Sequence, residues 1–168
     1  MPVKRLTRLS MLTALALILF TVEMQLPALT PIQGCKLGLA NIVTVYTMFA
    51  LGPADAFAVL LVRIVLGSVF SGQPGSLPYS LAGGILCYLA MLPCRRLLSM
   101  RQLWIGSVIG SVFHNIGQLG MAVLITRTPA VIGYLPVLLL IGIPAGVFTG
   151  LCAQLIVNRL ADSAKSGS

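Results

Sequence analysis

The chain has 168 residues, 58% hydrophobic and 8% charged, with a mean hydropathy of +1.02. Soluble domains carry about 25% charged residues, so this composition excludes a protein that covers itself with a water-facing surface. The net charge of +8 would suggest nucleic acid in a soluble protein, but here the cations fall at the ends of apolar runs, where they report membrane orientation instead.

Taken in order, six apolar runs approach the ~20 residues that a helical crossing needs. They predict an all-α integral membrane protein, a bundle of six transmembrane helices at 9–26, 36–51, 54–71, 78–93, 103–125 and 132–157 in a single transmembrane domain over 1–168. The first run follows Lys4, Arg5 and Arg8, as in a signal peptide. No small-x-small site closes it, and Glu23, Met24 and Gln25 interrupt its end, so it reads as an uncleaved first helix. Pro27, Pro31 and Gly34 then prevent regular helix, and the segment 27–35 is expected to form an outer gate. Gly52 and Pro53 make a tight turn, the stretch GQPG at 72–75 is a loop, and Pro129 with Gly133 opens the last helix. Cys35, Cys87, Cys94 and Cys152 form no C-x-x-C pair and no zinc spacing. No period of 20–50 residues repeats.

Orientation follows from the cations. With both termini cytoplasmic, the inner side holds Lys4, Arg5, Arg8, Arg95, Arg96, Arg101, Arg159 and Lys165, and the outer side holds only Lys36 and Arg127. This is the positive-inside pattern, and it predicts a multi-pass protein of the cytoplasmic membrane. Arg63 belongs to neither set. It lies about ten residues, or ~15 Å, along the third run, near the middle of a ~30 Å hydrocarbon core. A charge at that depth costs several kcal/mol unless it faces protein or water and has a partner.

The fifth run carries the chain's single histidine, His114, at a similar depth. On a wheel advancing about 100° per residue, Ser107, Ser111, Asn115 and Gln118 fall within an arc of about 100° that begins at His114. Gly106, Gly110 and Gly117 form the adjoining shoulder, where a neighbouring backbone can approach closely. Ile105, Val108, Ile109, Val112, Ile116, Leu119 and Val123 make up the opposite, lipid-facing side. The polar arc has two readings, interhelical hydrogen bonding and the lining of a binding site. Polar groups at compatible depths favour the second: Glu23, Gln25, Lys36, Asn41, Tyr79 and Ser80 all belong to the outer half, whereas the inner half is mostly Leu, Val and Ala. A polar cavity open to the outside, floored by Arg63 and His114, accounts for that asymmetry. Its candidate ligand contacts are Glu23, Lys36, Asn41, Arg63, Tyr79, His114, Asn115 and Gln118, with Tyr46 and Tyr79 placed to stack on a ring. Each also has a structural reading: Lys36 can snorkel to headgroups, Glu23 can neutralise Arg63, and Tyr79 can belong to an interfacial belt.

Catalytic chemistry is not indicated. The chain has no G-x-x-x-x-G-K-[ST], no H-E-x-x-H and no G-x-S-x-G segment, and one histidine with three carboxylates leaves little for metal or acid–base work. No cofactor, metal or nucleic-acid partner is expected, and the lipid bilayer is a partner by composition alone.

The stretches GCKLGLANIVTVY (34–46), VRIVLGSVFSG (62–72), PYSLAGG (78–84) and GSVFHNIGQL (110–119) resemble the Gx transporter family, also labelled heptaprenyl diphosphate synthase component I. That family is similar in size and layout to the substrate-binding S-components of energy-coupling factor transporters. The resemblance implies six helices, a vitamin or other micronutrient bound from outside, a transmembrane T-subunit and cytoplasmic ATPases. It also implies that small residues of the first helix, here Ser10, Ala14 and Ala16, dock the T-subunit. The synthase label does not fit the residues, because holding magnesium and diphosphate takes clustered aspartates. The leading expectation is therefore a non-enzymatic, S-component-like subunit of an uptake transporter that binds an anionic or polar metabolite. The alternative is a non-transporting subunit of a redox or isoprenoid/quinone-related complex, such as a noncatalytic prenyl-diphosphate synthase component.

Overall fold

The computed structural model describes residues 3–25 and 39–166. They form six helices: α1 (Val3–Gln25), α2 (Asn41–Ala50), α3 (Pro53–Phe70), α4 (Leu77–Leu97), α5 (Leu103–Thr126) and α6 (Leu135–Ser166). Short 3-10 turns lie at Pro74–Ser76, Met100–Gln102 and Pro129–Tyr134, and there is no strand among the described residues. Five of the helices are long and apolar enough to cross a membrane, α2 being the short one. The chain is an all-α, multi-pass membrane protein.

The ends of the helices differ from the apolar runs for identifiable reasons. α1 starts ahead of its run and takes in Lys4, Arg5 and Arg8, because a helix can stay regular after it leaves hydrocarbon. Arg5 Nε donates to Asp55 Oδ1 at 2.8 Å, and a second guanidinium nitrogen reaches the same oxygen, which fastens α1 to the start of α3. α4 continues past Pro93, whose ring is exposed, and ends with Arg95 and Arg96 where cations suit a helix C-terminus. α6 begins later than its run because Pro129–Tyr134 winds as a 3-10 turn, and it continues through Pro144. Gly52, at φ 123°, makes the turn between α2 and α3 in a conformation closed to other residues. Arg127, at φ 53°, ends α5 as a left-handed cap.

Only Asn41–Ala50 of the expected 36–51 helix is helical among the described residues. At about 1.5 Å per residue it is ~15 Å long, roughly half a hydrocarbon core. α2 lies in the middle of the bundle and touches the other five helices. Nearly all of its residues from Ile42 to Phe49 are buried, Tyr46 only partly. Together Met48, Phe49, Ala56, Met91, Cys94, Leu103 and Ala153 fill the half of the bundle nearest Arg5, Arg95 and the 98–102 loop, here termed the basic end, with apolar side chains.

α5 runs between α4 and α6, and glycines decide how closely. On the α4 side, a Cβ added to Gly117 would lie 2.6 Å from the Ala82 carbonyl oxygen, and one added to Gly110 would meet Cys87 and Met91 at 3.0 Å. On the other side the glycines belong to α6: Gly142, Gly146 and Gly150 are spaced by four, and they admit Asn115, Ser111, Ser107 and the Trp104 backbone. Polar bonds run along this second contact. Ser107 pairs with Thr149 at 3.0 Å, Ser111 donates to the Gly142 carbonyl at 2.6 Å, and Asn115 Nδ2 donates to the Leu138 carbonyl at 2.9 Å. With neighbours on two sides, the lipid face of α5 is narrower than the wheel suggests. Phe113, Ile116, Gly120 and Leu124 are exposed, whereas Leu119 is buried and the Val108 backbone sits against Gly146.

These contacts set the cost of two kinds of change. Gly117→Ala overpacks backbone against backbone and should destabilise the detergent-purified protein by about 1–3 kcal/mol. Gly120→Ala, with nothing within 4 Å of its added methyl, should leave the melting temperature unchanged. Asn115→Ala should cost about 0.6–1.7 kcal/mol, the range for an interhelical hydrogen bond in a membrane protein. Thermal melts of the three variants in one detergent check all of this.

Candidate functional site

Above the apolar half, five helices bring polar groups together. Arg63 projects from the middle of α3 and is 8% exposed. Its Nη2 donates to Asn41 Oδ1 at 3.2 Å, at the first residue of α2. The two are level because α2 and α3 run antiparallel from the Gly52 turn, Asn41 and Arg63 each standing about ten residues from it. Glu23, near the end of α1, is buried at 6% exposure and close enough for its charge to act on Arg63. Cys87 of α4 and His114 of α5 lie within electrostatic reach of the same guanidinium.

Gly83 of α4 makes room for α5 at this level. A Cβ there would meet Gln118 Cγ at 2.7 Å, the His114 carbonyl oxygen at 2.9 Å and His114 Cε1 at 3.0 Å. A glycine is therefore required for the histidine and the glutamine to stand against α4. One turn back on the same face of α4, Tyr79 is half-buried.

Three buried polar atoms here have no hydrogen-bond partner: Arg63 Nε, His114 Nδ1 and Thr44 Oγ1. Buried polar atoms are normally paired, and leaving one unpaired costs about 1–3 kcal/mol. Two of the three belong to side chains already singled out by depth in the sequence. Thr44 was not among the sequence candidates. Its signal was position: it follows Asn41 by three residues and so lies on a neighbouring part of the same α2 face. Gly83 was visible only as half of a Gly-Gly pair; its role follows from the packing of His114 and Gln118.

The structure divides the sequence-derived candidates. Asn41 accepts from Arg63, Glu23 and His114 lie within electrostatic reach of it, and Gln118 stands with His114 against Gly83. Asn115 turns toward α6 and bonds Leu138, so the polar arc of α5 is split between two neighbours. Lys36, and the expected gate at 27–35, lie outside the described residues. Of the residues proposed for docking a partner, Ser10 and Ala14 are exposed, whereas Ala16 is fully buried in the α1–α2–α3 core with Leu9, Val43 and Val59. Ala16 therefore contributes to internal packing, because α1 presents every third or fourth residue to the bundle and Ala16 falls on that seam. Among the described residues no three of His, Cys, Asp and Glu are grouped as a metal site would require.

No curated protein and no solved structure matches the chain. The sequence profile of one family does, over residues 12–156, which reaches into all six helices and takes in the whole polar centre. By that match the chain belongs to the family described as heptaprenyl diphosphate synthase component I.

Proposed function

We propose that this protein is a membrane-embedded, non-enzymatic subunit that binds a small polar molecule at the Arg63–His114 centre and serves its uptake. The observation that carries the reading is the pair of buried polar atoms without a partner, Arg63 Nε of α3 and His114 Nδ1 of α5. A purely structural network would consume its own donors, as the α5–α6 contact does. The basic end is filled with apolar side chains, so a ligand approaches from the opposite, far end. With the basic end cytoplasmic, as the distribution of Lys and Arg favours, the far end is external. In that arrangement Arg63, Asn41, Thr44, His114 and Gln118 contact the ligand, Tyr79 lines its approach, and Asn115 holds α6.

Movement of the ligand across the membrane then requires partners, since the chain has no nucleotide-binding segment of its own. A T-subunit with cytoplasmic ATPases fits this need, and the exposed face of α1 around Ser10 and Ala14 is a surface open to it. The second reading, a noncatalytic subunit of a prenyl-diphosphate synthase, is supported by the family's description. Affinity purification separates the two, as an ATPase–T-subunit pair or a soluble synthase subunit is recovered with the chain.

Mass spectrometry of the gently purified protein should identify a co-purifying small molecule. Against that molecule, His114→Ala and Gln118→Ala should each weaken binding by about 1–3 kcal/mol while changing ligand-free stability little. If both variants instead melt early and bind normally, the centre is structural and the binding reading fails. Orientation has its own check: Lys165→Cys should be labelled only by reagents that cross the membrane, and labelling by an impermeant external reagent overturns the topology.

A further inference from the structure

Arg63 is 8% exposed, and the hydrogen bond it makes goes to a neutral oxygen, that of Asn41. The chain has three carboxylates to offer it. Asp55 is held by Arg5 at the basic end, and Asp162 belongs to the last turns of α6. Glu23 is near enough for its charge to act on Arg63, but it makes no ion pair with it. Residues 26–38 contain neither aspartate nor glutamate. A guanidinium at this depth calls for an anion in contact with it, and the side chains of this protein do not supply one.

The first turn of α2 adjoins the guanidinium. A helix N-terminus carries a partial positive charge, and this one has Ala40 at its cap position, with no side-chain cap bond. Asn41 turns its oxygen to Arg63 instead. Thr44 follows about one turn later on the adjoining part of the same face, and its Cβ tilts back toward the start of the helix. In Thr7, Thr21, Thr47 and Thr126 the hydroxyl donates to the carbonyl four residues back. Thr44 does not do this: at 3% exposure its Oγ1 has no partner. Two buried polar side chains, Arg63 and Thr44, thus stand at the start of one helix, each with a hydrogen-bonding atom unused.

Resting on the ligand-site reading above, we propose that the ligand is a carboxylate whose oxygens are bound at the first turn of α2, between Arg63 Nε and the Thr44 hydroxyl. Both groups donate to it, Nε–H as a charged donor and Oγ1–H as a neutral one, with the positive end of the helix behind them. One buried guanidinium balances one negative charge. A phosphate dianion would leave a second charge in the hydrocarbon layer, which penalises it. Asn41 is a positioning residue, holding the guanidinium by Nη2 and leaving Nε to the ligand. Thr44 sets specificity: a halide has a single atom to offer Arg63, whereas a carboxylate has a second oxygen for the hydroxyl. The rest of the ligand lies toward His114 and Gln118.

The test uses the full chain in detergent with acetate as the probe, titrated against chloride at equal ionic strength and read by thermal melting. Acetate should stabilise the wild type, and phosphate should not. Thr44→Val keeps the shape of the side chain and removes an unpartnered hydroxyl. Without acetate it should melt at or above the wild-type temperature, and its acetate affinity should fall about tenfold. Thr44→Ser should bind as the wild type does, and so should Thr47→Val, whose hydroxyl serves its own helix. Arg63→Lys keeps the charge without the planar fork and should lose most of the response. Decanoate, carried in the micelle, separates two sources of the carboxylate. A response to acetate marks a water-soluble ligand and a response to decanoate alone a fatty acid of the membrane; either upholds the site, and the variants are read with whichever responds. No response to either carboxylate, an equal response to phosphate, or a Thr44→Val protein that melts well below wild type or binds unchanged would each overturn the proposal. If His114→Ala and Gln118→Ala weaken binding of a co-purified molecule that bears no carboxylate, the ligand site stands and this inference alone fails. Carboxylate binding that depends on Thr44 and Arg63 but not on His114 or Gln118 would do the reverse.

Discussion

A guanidinium fixed halfway through a bundle that crosses hydrocarbon has to be neutralised and hydrogen-bonded where it stands, and that requirement orders the rest of this molecule. Arg63 has an amide oxygen from α2 beside it and the carboxylate of Glu23 on α1 within its electrostatic reach. It also explains why α2 matters out of proportion to its length. The N-terminal end of a helix carries a partial positive charge, and α2 begins at the level of Arg63. The helix terminus adds to the positive potential around the guanidinium, so the centre is a stronger attractor of negative charge than one arginine alone. Asn41, turned to accept from Arg63, fills only part of that demand.

The two halves of the bundle are accordingly built on different principles. Toward the basic end, α2 is wrapped in side chains such as Met48, Phe49, Met91 and Leu103, close-packed and dry. Toward the far end the same helices carry Glu23, Asn41, Tyr79, His114 and Gln118. Such a division suits a site entered from one side and closed on the other; a pore would need polar lining through both halves. Attachment is graded in the same way. α4, α5 and α6 are joined by glycine-mediated close contact, with hydrogen bonds running from α5 to α6, whereas α1 rests on a single seam.

Much of this was legible in the sequence because hydrocarbon is an unforgiving solvent. Apolar runs of about 20 residues, turn residues between them and the depth of Arg63 and His114 follow from composition and helical rise alone. What a wheel cannot supply is neighbours. It placed Ser111, Asn115, His114 and Gln118 on one arc, but α5 sits between two helices, so part of the arc bonds α6 and part faces α4 and Arg63. The Gly142, Gly146 and Gly150 spacing was readable as a close-contact motif, yet which helix it would admit depended on the fold. Ala16 was a small residue like Ser10 and Ala14, and only the seam of α1 separates it from them. The short α2 was the least legible element, since an apolar run does not say where in its length the helix starts.

The family description joins this chain to a prenyl-diphosphate synthase, and the structure gives reasons to weigh that name by its chemistry. Condensing allylic diphosphates calls for several carboxylates around magnesium, and the chain's three carboxylates are dispersed among the far end of α1, the start of α3 and the end of α6. One of them is engaged by Arg5 and one lies beside Arg63. The groups that do have unused bonding capacity are Arg63 Nε, a cationic donor, and His114 Nδ1, which donates or accepts according to its tautomer. Whatever larger assembly this family serves, the unused bonding capacity of this chain's buried polar centre lies on α2, α3 and α5, at Thr44, Arg63 and His114, and not on its carboxylates.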